Sequence, residues 1–146
     1  PYGSSAASDV YKRQLLKEAM VAHEDDDQRR AHVADLFEFV DPQQRDLHYI
    51  LHAALNDPSR GVRRNLMYEL PTQKLSAEDK RQLQARMNDS TEWIYARVGA
   101  AWALAGSGDQ SGVDWADAMS SDPKYSGLTQ LLSHVYEANT RLHDNP

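Results

Sequence analysis

Two histidines are spaced so that one helix could bring them together for metal chemistry. His48 and His52 are four residues apart, and residues at this spacing are neighbours on one helical face. Imidazole nitrogens are common zinc ligands. A third ligand would have to come from His23, His32, an acidic residue or a neighbouring helix, and the chain contains no His-Glu-x-x-His motif. The pair is also explained as two ordinary surface histidines, so we expect no bound metal and no other cofactor.

The residue types in the sequence give little support for other kinds of catalysis. Cysteine is absent, which excludes thiolate catalysis, disulfides and cysteine-ligated zinc. The serines lie in segments typical of helix caps and loops, without a nucleophile-elbow motif. The acidic run at residues 25–27 lacks the glycine and the terminal glutamate of a calcium-binding loop. We assign no catalytic residue, and the sequence favours a binding protein over an enzyme.

The charge balance limits the classes of partner. The chain has 146 residues, with 16 Lys and Arg against 22 Asp and Glu, and a net charge of −6. This argues against nucleic-acid binding as the main role, because such binding relies on clustered basic residues. No apolar run approaches the length of about 20 residues that a membrane span needs. We therefore expect no membrane partner, and the absence of cysteine and of a signal-peptide pattern leads us to expect a cytoplasmic protein.

The elements that would position these residues are helices. Val33, Leu36, Phe37 and Val40 recur with the spacing of one helical face, and similar stripes follow along the chain. Ser76 precedes a helical segment and is a favourable N-cap residue. No segment alternates with the period of two that strands show. The sequence predicts an all-α fold.

A repeat underlies the helical pattern. Arg29, Arg63 and Arg97 are spaced by 34 residues, and the same step relates Leu36, Leu70 and Leu104. A constant period in this range indicates a helical solenoid. The step also relates Tyr68, Trp102 and Tyr136, which we interpret as equivalent core or seam positions.

Two segments resemble a known repeat family. Residues 54–58, Ala-Leu-Asn-Asp-Pro, are followed by Val62-Arg63-Arg64, and residues 96–105 match the same pattern. They resemble the short HEAT repeats of phycocyanobilin-lyase-like proteins. The resemblance implies a right-handed α-solenoid of three to four HEAT-like helical hairpins, the last one degenerate because Leu131 stands where arginine belongs.

The resemblance also implies a structural role for a set of residues that we call the ladder. In the family, the loop aspartate and the helix arginine hydrogen-bond along the stack. The ladder residues here are Asp57, Arg63, Asp89 and Arg97.

The chain ends differ from the repeats. Residues 1–14 are small and polar, and residues 9–14 resemble a translated sequencing-library end, so we interpret residues 1–14 as disordered or as an assembly scar. We expect one solenoid domain over residues 15–142, a frayed tail at 143–146, and a longer native protein of which this is a fragment.

The function that this architecture favours is a non-catalytic protein–protein interaction scaffold. Stacked second helices, near residues 43–55, 76–87 and 112–119, would line a concave face that binds another protein. The expected contacts on the concave face are Gln44, Arg45, His48, His52, Lys80, Arg81 and Gln84.

Two alternatives stay open. One is a bilin-lyase-like, chromophore-handling enzyme. The other is a HEAT-like nucleic-acid-binding protein, which would use the local basic zone formed by Arg60, Arg63, Arg64, Lys80, Arg81 and Arg86. Separately, Trp93, Tyr95 or Trp115 could anchor a partner if it is exposed, since aromatic residues dominate binding hot spots.

Overall fold

The fold was analysed in a computed structural model that describes the backbone of residues 5–144 and the side chains of residues 7–140. In this range the chain forms eight α-helices and three short 3-10 segments and no strand, which confirms the predicted all-α class. The helices are α1 (Ser5–Ala22), α2 (Asp27–Asp35), α3 (Leu47–Asn56), α4 (Arg60–Tyr68), α5 (Ala77–Met87), α6 (Ile94–Gly106), α7 (Ser111–Met119) and α8 (Leu128–Asp144). The 3-10 segments are Leu36–Phe39, Thr72–Lys74 and Pro123–Tyr125.

The chain divides into two compact units, the first ending at Pro71 and the second beginning at Thr72. In the first unit, α4 packs against both α2 and α3, and α1 packs against α2. Burial of apolar side chains is the main stabilising term of such packing. The core of this unit contains Met20, Ala34, Phe37, Val40, Ile50, Leu51, Ala54, Leu55, Val62, Leu66, Met67 and Leu70.

In the second unit, α6 is the central helix and packs against α5, α7 and α8. Small residues make this possible, because Ala100, Ala101 and Ala105 are fully buried and leave room for neighbouring backbones. Gly112 in α7 lies so close to α6 that a Cβ atom there would overlap the carbonyl oxygen of Ala101. The sequence of α6 therefore sets how closely α7 can approach.

Local polar bonds fix where several helices begin. The predicted N-cap Ser76 is confirmed: its Oγ accepts from the Asp79 amide at 3.1 Å, and the Asp79 carboxylate accepts from the Ser76 amide at 2.8 Å. This reciprocal pair is a capping box. In contrast, α3 begins at Leu47 and not near residue 43, because Asp46 caps it by accepting from the Tyr49 amide at 3.2 Å.

Helix α1 begins at Ser5, ahead of the start predicted near residue 15. Arg13 donates to the carbonyl oxygen of Gln44 at 2.7 Å, and Lys17 pairs with the Asp46 carboxylate at 2.7 Å. The hydrogen bond from Lys17 lowers the pKa of Asp46. Residues 1–4 and 145–146 lie outside the described range, and the assembly-scar interpretation of residues 1–14 stays a prediction.

Candidate functional site

An open apolar groove lies in the second unit between the first turns of α6 and α8. It encloses about 300 Å³. The 3-10 segment Pro123–Tyr125 closes one side, immediately before α8 begins. The lining residues are Ile94, Tyr95, Val98, Lys124, Tyr125, Gly127, Leu128 and Leu131.

Residues just before each helix shape the groove. Trp93 is extended and is the N-cap of α6, which begins at Ile94. The rings of Trp93 and Tyr95 pack edge to face with centroids 5.0 Å apart, an arrangement that aromatic pairs favour. On the other side, Asp122 caps the 3-10 segment by accepting from the Lys124 amide at 3.0 Å. The local sequence thus directs Tyr95 and Lys124 toward the groove.

A second open depression, of about 330 Å³, continues along α8. It is lined by Gly127, Gln130, Leu131 and His134, so it shares Gly127 and Leu131 with the groove. Together the two depressions form one surface, which we call the α6–α8 groove.

The C-terminal half of α8 is held by a buried asparagine. With its nitrogen toward Gly106, the amide of Asn139 donates to the Gly106 carbonyl at 2.9 Å and accepts from the Gly108 amide at 3.1 Å. Gly108 has a φ of 80°, a conformation that glycine adopts without strain. This contact fixes α8 against the turn that ends α6.

The predicted aromatic anchors have different environments. Tyr95 is exposed, Trp93 is half-buried, and Trp115 is buried beneath Arg97, whose guanidinium carbon lies 5.4 Å from the ring centroid. Of the row spaced by 34 residues, Tyr68 is exposed, while Trp102 and Tyr136 are half-buried. Tyr95 is therefore the residue among the three suggested anchors that a partner can reach most easily.

Arg45, an expected concave-face contact, is held inside the first unit. Its guanidinium donates to the carbonyls of Val40, Glu69 and Glu38 at 2.9, 2.9 and 3.0 Å. It also pairs with the Glu69 carboxylate at 3.2 Å. Burial lowers the pKa of Arg45, and burial raises the pKa of Glu69 to about 7 against the opposing effect of Arg45. These bonds leave Arg45 little surface to offer a partner.

The other expected concave-face residues differ in availability. Gln84 bridges α5 to the start of α7 by donating to Asp109 at 3.0 Å and to Ser111, the first residue of α7, at 3.2 Å. His48, His52 and Arg81 are exposed, whereas Gln44 and Lys80 are half-buried. The structure places Gln44, Arg45, His48 and His52 in the first unit, and Lys80, Arg81 and Gln84 in the second.

In the first unit, an arginine that could not be predicted from the repeat connects the ladder residue Asp57 to α2. Asp57 is buried, accepts from the Ser59 amide at 2.9 Å, and forms an ion pair with Arg30 of α2. Arg63 donates to the carbonyls of Asp57 and Pro58 at 2.7 and 3.2 Å. The 34-residue step indicated Arg29, which is exposed and pairs with Asp26.

In the second unit, the ladder residues stabilise the start of α6. Arg97 donates to the carbonyl of Met87, the last residue of α5, at 2.8 Å. Asp89 accepts from the amide and the hydroxyl of Thr91 at 2.9 and 2.6 Å, and these hydrogen bonds lower its pKa. In both units the helix arginine binds main-chain oxygen atoms of the preceding segment.

In the described part of the chain, the candidate metal ligands are dispersed, and two arginines of the basic zone form ion pairs. His, Asp and Glu side chains there do not form a group of three or more that could hold a metal ion. In the basic zone, Arg81 pairs with Glu78, and Arg86 pairs with Asp89 and Glu92. Across residues 5–144, no helix combines the length and the apolar character that crossing a bilayer requires.

No family model, no curated protein and no solved structure matches this chain.

Proposed function

We propose that the chain is a non-catalytic protein-binding scaffold of HEAT-like helical repeats and that the α6–α8 groove is its contact surface. The observation that carries this proposal is the open apolar groove with Tyr95 and Leu131 exposed on its walls. Exposed apolar groups that converge on one concave surface are typical of interaction sites.

The packing within each unit supports the repeat architecture. Helices two positions apart pack against each other: α2 against α4 in the first unit, and α6 against α8 and α5 against α7 in the second. Repeat proteins stack equivalent helices in this way, each unit contacting its neighbours. The right-handed solenoid, the HEAT-like identity and the cytoplasmic location are parts of the same proposal, and the absence of cysteine fits a reducing compartment.

The groove suits side-chain anchors of a partner protein better than a whole small-molecule cofactor. Its volume of about 300 Å³ lies at the lower end of the range of about 300–1,000 Å³ that ligand pockets span. Its walls contribute two tyrosines and several aliphatic side chains, the kind of surface that buries a few hot-spot residues.

The α6–α8 groove is a better primary surface than the expected concave face. Arg45 and Gln84 are engaged in hydrogen bonds within their own units, so a partner would have to break those bonds to use them. Breaking buried polar bonds is costly because the freed groups lose their partners. His48, His52 and Arg81 stay available for secondary contacts.

The test compares proteins captured from a lysate by three forms of the full chain. The first is the wild type and the second is Tyr95→Ser/Leu131→Ser. The third is the control Leu36→Ser/Phe39→Ser, which alters apolar residues of similar exposure in the first unit. The exposed fractions are 56% and 44% for the groove pair, and 46% and 63% for the control pair. We expect proteins captured by the wild type and the control to be lost with the groove variant.

A further variant, with alanine at His48, Lys80 and Gln84, tests the concave face. Melting curves recorded by circular dichroism verify that every variant is folded. Loss of the captured proteins with the alanine variant, and retention with the groove variant, would assign binding to the concave face and contradict the groove.

A further inference from the structure

We infer that the α6–α8 groove receives an acidic amphipathic helix of a partner protein. This inference rests on the proposed binding function and adds the chemistry of the occupant. Three features of the groove support it: its charge, the helix ends that meet there and its elongated form.

The first feature is charge. The chain has six more acidic than basic residues, yet no Asp or Glu is among the described residues that line the groove and its continuation along α8. Lys124 is the charged residue of that lining, with His134 further along α8. The ammonium of Lys124 lies 3.7 Å from the exposed Asp122 carboxylate and 5.3 Å from the Tyr125 ring centroid. Exposed pairs of this kind are weak, so Lys124 can also pair with an acidic group of a partner, although the Asp122 carboxylate offsets part of that attraction.

The second feature is that two helices begin at the groove. Ile94 and Leu128 are the first residues of α6 and α8, and both line it. Neither helix has an acidic residue in its first turn. The partial positive charge of helix N-termini favours nearby anions. The carboxylate of Glu92 precedes α6, but it is buried, accepts from the Trp93 amide at 2.7 Å and pairs with Arg86. It therefore opposes an acidic ligand less than an exposed carboxylate would.

The third feature is shape. The two depressions share Gly127 and Leu131, so apolar surface extends along α8 beyond a single pocket. A helix that lies in a groove presents anchors at i, i+3 or i+4, and i+7, which such an elongated surface can receive. The other common mode adds a strand to a sheet edge, and residues 5–144 contain no strand to extend.

The experiment measures the binding of fluorescently labelled peptides to the full chain by anisotropy. All peptides carry leucines along one helical face. The other face carries glutamate in the first peptide, glutamine in the second and lysine in the third. We expect the glutamate peptide to bind up to about fivefold more tightly than the lysine peptide, because one exposed charge pair at Lys124 can supply a ratio of about this size.

Two protein variants connect this preference to the groove. Lys124→Glu should reduce the preference for glutamate over lysine to about onefold or reverse it. Tyr95→Ser/Leu131→Ser should weaken the binding of all three peptides by about tenfold, as removal of hot-spot side chains does. The control Leu36→Ser/Phe39→Ser should leave their affinities unchanged. Raising the salt concentration should reduce the ratio between the affinities for the glutamate and lysine peptides, because salt screens exposed charges.

The outcomes separate this inference from the proposed function. The glutamate and lysine peptides could bind equally, or no peptide could bind, while the groove variant still fails to capture the lysate proteins. In that case the acidic-helix inference fails and the proposed scaffold function is retained. If the groove variant still binds the peptides and still captures the lysate proteins, both the acidic-helix inference and the proposed function fail. If sedimentation equilibrium shows self-association that Tyr95→Ser/Leu131→Ser abolishes, the occupant is a second copy of this chain and the inference fails.

Discussion

At the scale of single residues, the raised pKa of Glu69 makes the stability of the fold depend on pH. It is buried beside Arg45 at the end of α4. Burial raises its pKa from 4.5 to about 7, and the carboxylates of Glu38 and Asp35 contribute further. A raised pKa means that the folded state binds the proton more tightly than the unfolded state. The contribution of Glu69 to the free energy of unfolding is therefore fully present below about pH 4.5, and it is lost as the pH rises through about 7.

Glu69→Gln should remove this pH dependence. Glutamine resembles the protonated acid, so the variant should match the wild type near pH 4.5 and exceed its stability at pH 8. A change of pKa from 4.5 to about 7 corresponds to at most about 3 kcal/mol. Urea unfolding at a series of pH values measures the difference. A variant less stable than the wild type at pH 8 would show that the Arg45 pair outweighs the cost of burying the charge.

Asp57→Ala should be strongly destabilising. It removes the acceptor of the Ser59 amide and the partner of Arg30, whose Nε is already buried without a hydrogen bond. Loss of one member of a buried ion pair costs about 3–5 kcal/mol. Asp89→Ala, at the equivalent ladder position, is the matched control and should cost less, because Asp89 is more exposed. Chemical denaturation of both variants provides the comparison, and equal losses would contradict the assigned role of Arg30.

The sequence could predict these residues only in part. Asp57 and Arg63 were recognisable from the repeat, but the ion pair with Arg30 depends on how α2 faces α4. Arg45 follows a polar stretch typical of a surface loop, and its burial results from carbonyls that distant residues supply. Periodicity carries information about helix faces and none about such long-range polar bonds.

At the scale of helices, the approach of α7 to α6 depends on Gly112. A Cβ atom at this position would overlap the Ala101 carbonyl and come within 3.2 Å of the Ala105 amide nitrogen. Gly112→Ala should therefore separate the helices and destabilise the fold by about 1–3 kcal/mol, the usual cost of overpacking. Gly127→Ala is the control, because its Cβ would meet no atom within 4 Å. Thermal melting distinguishes the two, and a neutral Gly112→Ala would show that α7 can shift freely.

Helix boundaries illustrate what local sequence determines. The start of α5 followed from Ser76 because a capping box is encoded within four residues. The start of α3 could not be predicted in this way, because residues 41–46 form a turn that Asp46 and the hydrogen bonds of Arg45 stabilise. The groove was also beyond sequence analysis, since Tyr95 was one of three candidate aromatics and nothing local distinguishes its exposure.

At the scale of the whole molecule, the distribution of tryptophan offers a test of the two units. Trp93, Trp102 and Trp115 are all the tryptophans of the chain, and all lie in the second unit. Tryptophan fluorescence therefore reports on the second unit, whereas far-ultraviolet circular dichroism reports on helices of both. For Asp57→Ala, we expect the urea midpoint measured by dichroism to fall more than the midpoint measured by fluorescence. Equal shifts of both midpoints would indicate a single cooperative transition.

The Asn139 contact with the turn of Gly106 and Gly108 has a consequence for how new binding specificities could arise. Asn139, which holds the C-terminal half of α8, is separate from the residues that face the groove. Substitutions at exposed positions such as Tyr95 and Leu131 usually change stability by less than about 0.5 kcal/mol. On the proposed function, selection or protein engineering could therefore exchange the wall residues to fit a different partner while the helices beneath them stay folded.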